Sequence, residues 1–138
     1  MSLPALRDIL EEYELVEAED RYRLLIDLGQ QLEPMPDALK TDATKVRGCA
    51  ASVWLYPTEE EGRLIFLADS DAAITKGIVA LVLTAVQCKP AAEIADMDIA
   101  AALAPFELGK HLSANRTQGV PSMIALIKST AERLADAA

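Results

Sequence analysis

A chain of 138 residues is long enough to bury one sizeable core, and 51% hydrophobic with 25% charged residues is the balance of a globular domain, not a disordered one. The net charge is −9, and seven acids with no base lie between Asp8 and Asp20. Without a basic stripe the chain is a poor partner for nucleic acid, whose affinity comes mostly from neutralised phosphates, and for anionic membrane surfaces.

The first helix is predicted to begin near Pro4, capped by Ser2, because Leu6, Ile9, Leu10 and Tyr13 recur at helical spacing. A second helix fits 18–31, with Tyr22, Leu25, Ile26 and Gly29 on one side; Pro34 and Pro36 then break it. Residues 41–48 are polar and turn-prone. Runs 52–56 and 63–67 are rich in β-forming residues and read as a hairpin joined by the acidic turn 59–62. A short third strand before Cys49 would complete a small antiparallel sheet.

Asp69 or Ser70 is expected to cap the next helix, with Asp71 in its first turn facing the positive end of the dipole. That helix, 72–86, is apolar nearly all round and reads as the buried centre. Short helices follow from Pro90 to about residue 95 and between Ile99 and Phe106. Ser113 is placed to cap the last helix, which Pro121 should kink or break. The pattern predicts a single α+β domain over 1–138, with helices on one face of an antiparallel sheet of about three strands. The longest apolar run, 78–83, is too short to span a bilayer, and the acidic start lacks the apolar core of a secretory leader. A cytoplasmic location is therefore expected, where cysteines are usually free thiols.

Few residues carry candidate chemistry. Cys49 follows Gly48 and sits in a window, 43–58, whose only charges are Lys45 and Arg47. Glycine permits a tight turn, and neighbouring bases favour the nucleophilic thiolate; a plain buried cysteine is the competing reading. Cys88 ends the buried helix and reads as a small packing residue, although a disulfide with Cys49 is open at this level. His111 is either a base for Cys49 or a polar loop residue, and Arg116 by default a surface charge. Two cysteines and one histidine fall short of the four ligands a structural zinc site uses, and no metal or resident cofactor is expected.

Arg47-Gly48-Cys49 followed by Ser52-Val53-Trp54-Leu55 resembles the cysteine loop of the SufE family. Asp69-Ser70-Asp71-Ala72-Ala73-Ile74 with Lys76-Gly77 resembles its characteristic helix start. His111-Leu112-Ser113 with Asn115-Arg116 and Gly119 is similar to its C-terminal portion, and Tyr22 with Leu25-Ile26 and Leu28-Gly29 to its N-terminal helix. The likeness runs from about Arg7 to Leu134. Ala50-Ala51 depart from the polar residue usual after the family's cysteine.

The resemblance implies the SufE/IscU-like fold and a sulfur carrier. Cys49 would accept persulfide sulfur from a pyridoxal-phosphate cysteine desulfurase of the SufS-like kind or a paralogue. It would stimulate that enzyme and pass the sulfur to an iron–sulfur assembly scaffold. The chain would be a persulfide relay, not a free-standing catalyst. Arg47, Gly48, Asp69, Asp71, His111 and Arg116 would lie at the loop or the desulfurase contact. Cys49 would be tucked away in the free protein and swing out on the partner. Three other readings compete: a desulfurase-binding regulatory module with an inert Cys49, an IscU-type scaffold, and a Cys49–His111 hydrolase. The scaffold would want about three cysteine ligands, and the hydrolase lacks a triad signature.

Overall fold

The structure is a computed structural model describing residues 3–137, apart from the side chains of His111 and Ala137. Helix α1 (Leu6–Leu15) buries Ile9 and Tyr13, one turn apart. It starts two residues later than Pro4 suggested, with Ala5 at the cap position; the expected cap, Ser2, lies outside the described residues. Helix α2 (Ala18–Gln30) buries Leu25, Leu28 and Gly29. The Tyr13 ring meets Phe106 edge-on, with centroids 5.2 Å apart.

Helix α3 (Ala73–Val86) is buried on nearly every side, as its uniform apolarity requires. Its seam with α2 is closed by glycine. A Cβ on Gly77 would overlap the Leu25 carbonyl, and one on Gly29 would stand 2.8 Å from the Gly77 nitrogen. The two backbones approach closely only because both side chains are missing.

Strands β1 (Val53–Glu60) and β2 (Arg63–Ser70) pair antiparallel, from Val53 opposite Ser70 to Glu60 opposite Arg63. Glu59 and Glu60 belong to β1, not to the turn. The turn is Glu61-Gly62 alone, with φ of 53° and 78°, a two-residue connection whose twist matches the strands. Leu64, Phe66 and Ala68 alternate inward along β2 and join the core with α3. The third strand is not the segment before Cys49, which makes one isolated bridge, Lys45 opposite Trp54. It is β3 (Lys89–Pro90), on the far edge of β2, giving the order β1-β2-β3. Proline is tolerated there because an edge strand need not donate every N–H.

The chain continues through α4 (Ala91–Asp96), α5 (Ile99–Leu103), a 3₁₀ turn at 104–106, α6 (Leu108–His111), α7 (Ala114–Thr117) and α8 (Val120–Ala137). The predicted last helix is thus two helices, broken at Gln118 and Gly119. Pro121 is the second residue of α8, where the missing N–H would have had no intrahelical partner. Ser113 stands at the cap of α7, but its carbonyl, not its hydroxyl, takes the Arg116 N–H, at 3.0 Å. The helices pack on the sheet as an α+β fold. No described helix is long and apolar enough to cross a membrane.

Candidate functional site

Cys49 sits on a short tethered loop. Upstream, the Val46 N–H donates to the Val53 carbonyl at 2.8 Å, and the Leu55 N–H to the Thr44 carbonyl at 2.9 Å. Downstream, the Ser52 N–H donates to an Asp71 carboxylate oxygen at 3.0 Å, and the Asp71 N–H returns to the Ser52 carbonyl at 3.3 Å. Between these anchors, residues 47–51 make no backbone–backbone hydrogen bond among the described residues. Gly48 turns the loop at φ 86°, a conformation that disfavours any side chain.

The loop rests on the approach to α8. The Cys49 sulfur lies against the backbone of Gly119, so closely that a Cβ there would overlap it; the same Cβ would stand 3.1 and 3.2 Å from the Cys49 Cβ and Cα. Ser122 lies beneath Gly48, its hydroxyl 3.1 Å from where a Gly48 Cβ would be. Cys49 is half-buried, and burial pushes its thiol pKa up, because the thiolate loses hydration. The expected activation by Lys45 and Arg47 is not the force that acts here. Both are exposed, and desolvation dominates. In this seated position the neutral thiol is favoured.

Asp69 and Asp71 do not cap α3, whose cap position is Ala72 without a side-chain bond. Both are anchors of the cysteine segment. Asp69 ends β2 and holds Lys40 at 2.6 Å, Lys76 at 3.2 Å and the Ser70 N–H at 2.8 Å. Burial pushes its carboxyl up, but the bonds from Lys40, Ser70 and Lys76 outweigh that and hold it below the ordinary carboxylate range. Lys40 also lies 5.8 Å from the Trp54 ring centroid. Asp69 thus ties the segment leading into the loop, while Asp71 ties the segment leaving it. Their partners, Lys40 and Ser52, are remote in sequence and leave no local pattern.

Arg116 is exposed, with its guanidinium 5.8 Å from the Tyr22 ring centroid. With Asn115 it lines a hollow of about 510 Å³ that Ala50 and Ala51 of the loop border, together with Ile26 and Ile74. The hollow is mostly apolar beside one cation. His111 ends α6, and its side chain lies outside the described residues. Gly119, Ser122 and Lys40 were given no role from the sequence. A hint for Gly119 existed: a glycine directly before a helix with proline in its first turn.

Cys88 corrects the expectation of a packing residue. It is a free, exposed thiol, one residue past the α3 cap, with φ 62°. Its N–H donates to the Leu64 carbonyl at 3.1 Å and its carbonyl accepts from Arg63 at 2.9 Å, so backbone bonds hold it in the left-handed region. Cys49 is also free. Among the described residues, no three His, Cys, Asp or Glu side chains are grouped to hold a metal ion.

These features define a class: a helix-covered antiparallel sheet presenting one cysteine on a doubly anchored loop. The family model for SufE, described as the Fe-S metabolism associated domain, matches residues 7–131, and the chain belongs to that family. The chain is 40% identical over 135 residues to an uncharacterized SufE-like protein of Rhizobium meliloti, covering 94% of this chain and 96% of that one. It is 42% identical over 118 residues to the sulfur acceptor protein CsdE of Escherichia coli, covering 84% and 80% of the two chains. The solution structure of a hypothetical protein from Thermus thermophilus superposes with a TM-score of 0.75 at 15% identity, covering 96% of this chain and 97% of that one. At that identity the likeness concerns the fold alone.

Proposed function

We propose that the chain is a sulfur acceptor acting as one domain, with Cys49 taking the outer sulfur of a persulfide on a pyridoxal-phosphate cysteine desulfurase of the SufS-like or a paralogous kind. The observation that carries this is the half-buried Cys49 sulfur on a loop fixed at both ends and free between them. Family membership and the likeness to an E. coli sulfur acceptor support it.

The chemistry is thiol–disulfide exchange in kind. The Cys49 thiolate attacks the outer sulfur of the donor's Cys–S–S⁻. A sulfur–sulfur bond forms to Cys49, the donor's bond breaks, and its electron pair leaves on the donor thiolate. No oxidant or reductant is consumed. The sulfur then passes to an iron–sulfur assembly scaffold by a second exchange of the same type. Seating suppresses the thiolate in the free protein, so docking must lift Cys49 from Gly119 and ionise it.

In this reading Arg116 and Arg47, both exposed, meet the desulfurase, and His111 joins the contact on sequence grounds. Asp69 and Asp71 position the loop instead of touching the partner. The test is desulfurase turnover with wild-type protein and with Cys49→Ser. The carrier reading expects stimulation to be lost in the variant while binding persists. Undiminished stimulation would convert the protein into a regulatory module with an inert cysteine.

A further inference from the structure

Resting on the sulfur-acceptor reading, we infer that Gly119 is the positioning residue that seats the Cys49 loop, and that its missing side chain is what allows the closed position to exist. The Cys49 loop has one floor, and at its lowest point that floor is backbone without a Cβ. Adding a single methyl there meets three atoms of one residue: it overlaps Sγ and comes within 3.1 and 3.2 Å of Cβ and Cα. A Cys49 side-chain rotation could clear the sulfur, but Cβ and Cα move only with the backbone. The loop must rise.

Alanine at 119 costs nothing else. Gly119 is not among the described glycines with positive φ, which are Gly48 and Gly62, so its backbone does not require glycine. Its carbonyl still accepts the Met123 N–H at 3.0 Å. The obstruction falls on a segment whose residues 47–51 lack backbone–backbone bonds, so the loop yields before the helix does. The anchors, Val46–Val53 and Ser52–Asp71, lie outside the obstruction and remain made. Gly119→Ala therefore converts a closed loop into an open one, with the rest of the fold intact.

The test reads Cys49 in the free protein, without desulfurase. Alkylation by a bulky maleimide is timed and mapped by mass spectrometry, with exposed Cys88 as internal reference. Gly119→Ala should speed Cys49 modification roughly tenfold or more relative to Cys88, the result of depopulating a closed state. Gly109→Ala, where an added methyl meets nothing within 4 Å, should leave both rates alone. An unchanged Cys49 rate in folded Gly119→Ala overturns the inference.

Should Gly119→Ala lower the melting temperature, the same substitution in a Cys49→Ala background decides. The seat requires a smaller loss there, because the overlapping atom is gone; equal losses in both backgrounds overturn the inference. Neither result bears on whether Cys49 accepts sulfur. Failure of sulfur transfer in the wild type would leave the seat standing while removing the acceptor reading.

Discussion

Glycine makes room at two places in this molecule, and the two differ in what lies opposite. At the α2–α3 seam, the missing Gly77 side chain admits the Leu25 carbonyl, which is helix backbone on both sides. Before α8, the missing Gly119 side chain admits Cys49, which stands on a loop with free backbone. The local sequence sign is the same. One contact locks the fold, and the other leaves a movable part closed but releasable. The partner's freedom, not the closeness of the contact, decides which.

The sharpest break in that comparison is Gly77→Ala. Helix backbone cannot step aside, so the loss of stability should reach the upper end of overpacking effects, about 3 kcal/mol, measured by urea unfolding. Gly119→Ala should cost only about 1 kcal/mol, because the loop relaxes at the expense of its own contacts. Equal losses at the two sites would erase the distinction.

Asp69→Asn comes next. The Asp69 carboxyl is held below its ordinary value in the folded state, so its contribution is present above the unfolded pKa and is lost as pH falls through the folded one. The variant should be less stable than wild type at neutral pH, and the gap should close in acid below the ordinary carboxylate range. A gap independent of pH would mean that Asp69 acts by shape and not by charge. Asp71→Ala removes one loop anchor and should cost about 0.5–1 kcal/mol while raising Cys49 alkylation several-fold. If alkylation stays at the wild-type rate, the loop is held elsewhere.

The smallest effect is in the pH dependence of Cys49. Burial raises its pKa in the folded state, so the seat's contribution is full below the unfolded thiol value and fades as pH rises through the folded one. The alkylation–pH curve of folded protein should lie to higher pH than that of urea-unfolded protein, and Gly119→Ala should bring it back.

Much of this was legible in the sequence. The spacing of Ile9 and Tyr13, the apolar run of α3 and the β-rich runs of the hairpin announced those elements, because each is a local pattern. Pro121 announced the break before α8. The third strand was misplaced because Lys89-Pro90 is two residues long and carries no periodicity. Asp69 and Asp71 looked like helix caps, since acids near a helix start usually are; their real partners lie 19 or more positions upstream. Cys49 was singled out by its neighbours, but its thiol is governed by burial against Gly119, and burial against a distant segment is invisible along the chain. Cys88 was read as buried because a cysteine after an apolar helix usually packs, whereas here the left-handed turn carries it outward.

The most direct measurement is intact-protein mass after incubation with a cysteine desulfurase and cysteine, without reductant. Wild type, Cys49→Ser and Cys88→Ser would be compared. The account predicts a gain of one or more sulfur atoms in wild type and Cys88→Ser and none in Cys49→Ser. No gain in wild type with a matched, active desulfurase, or a gain that survives Cys49→Ser, would contradict it.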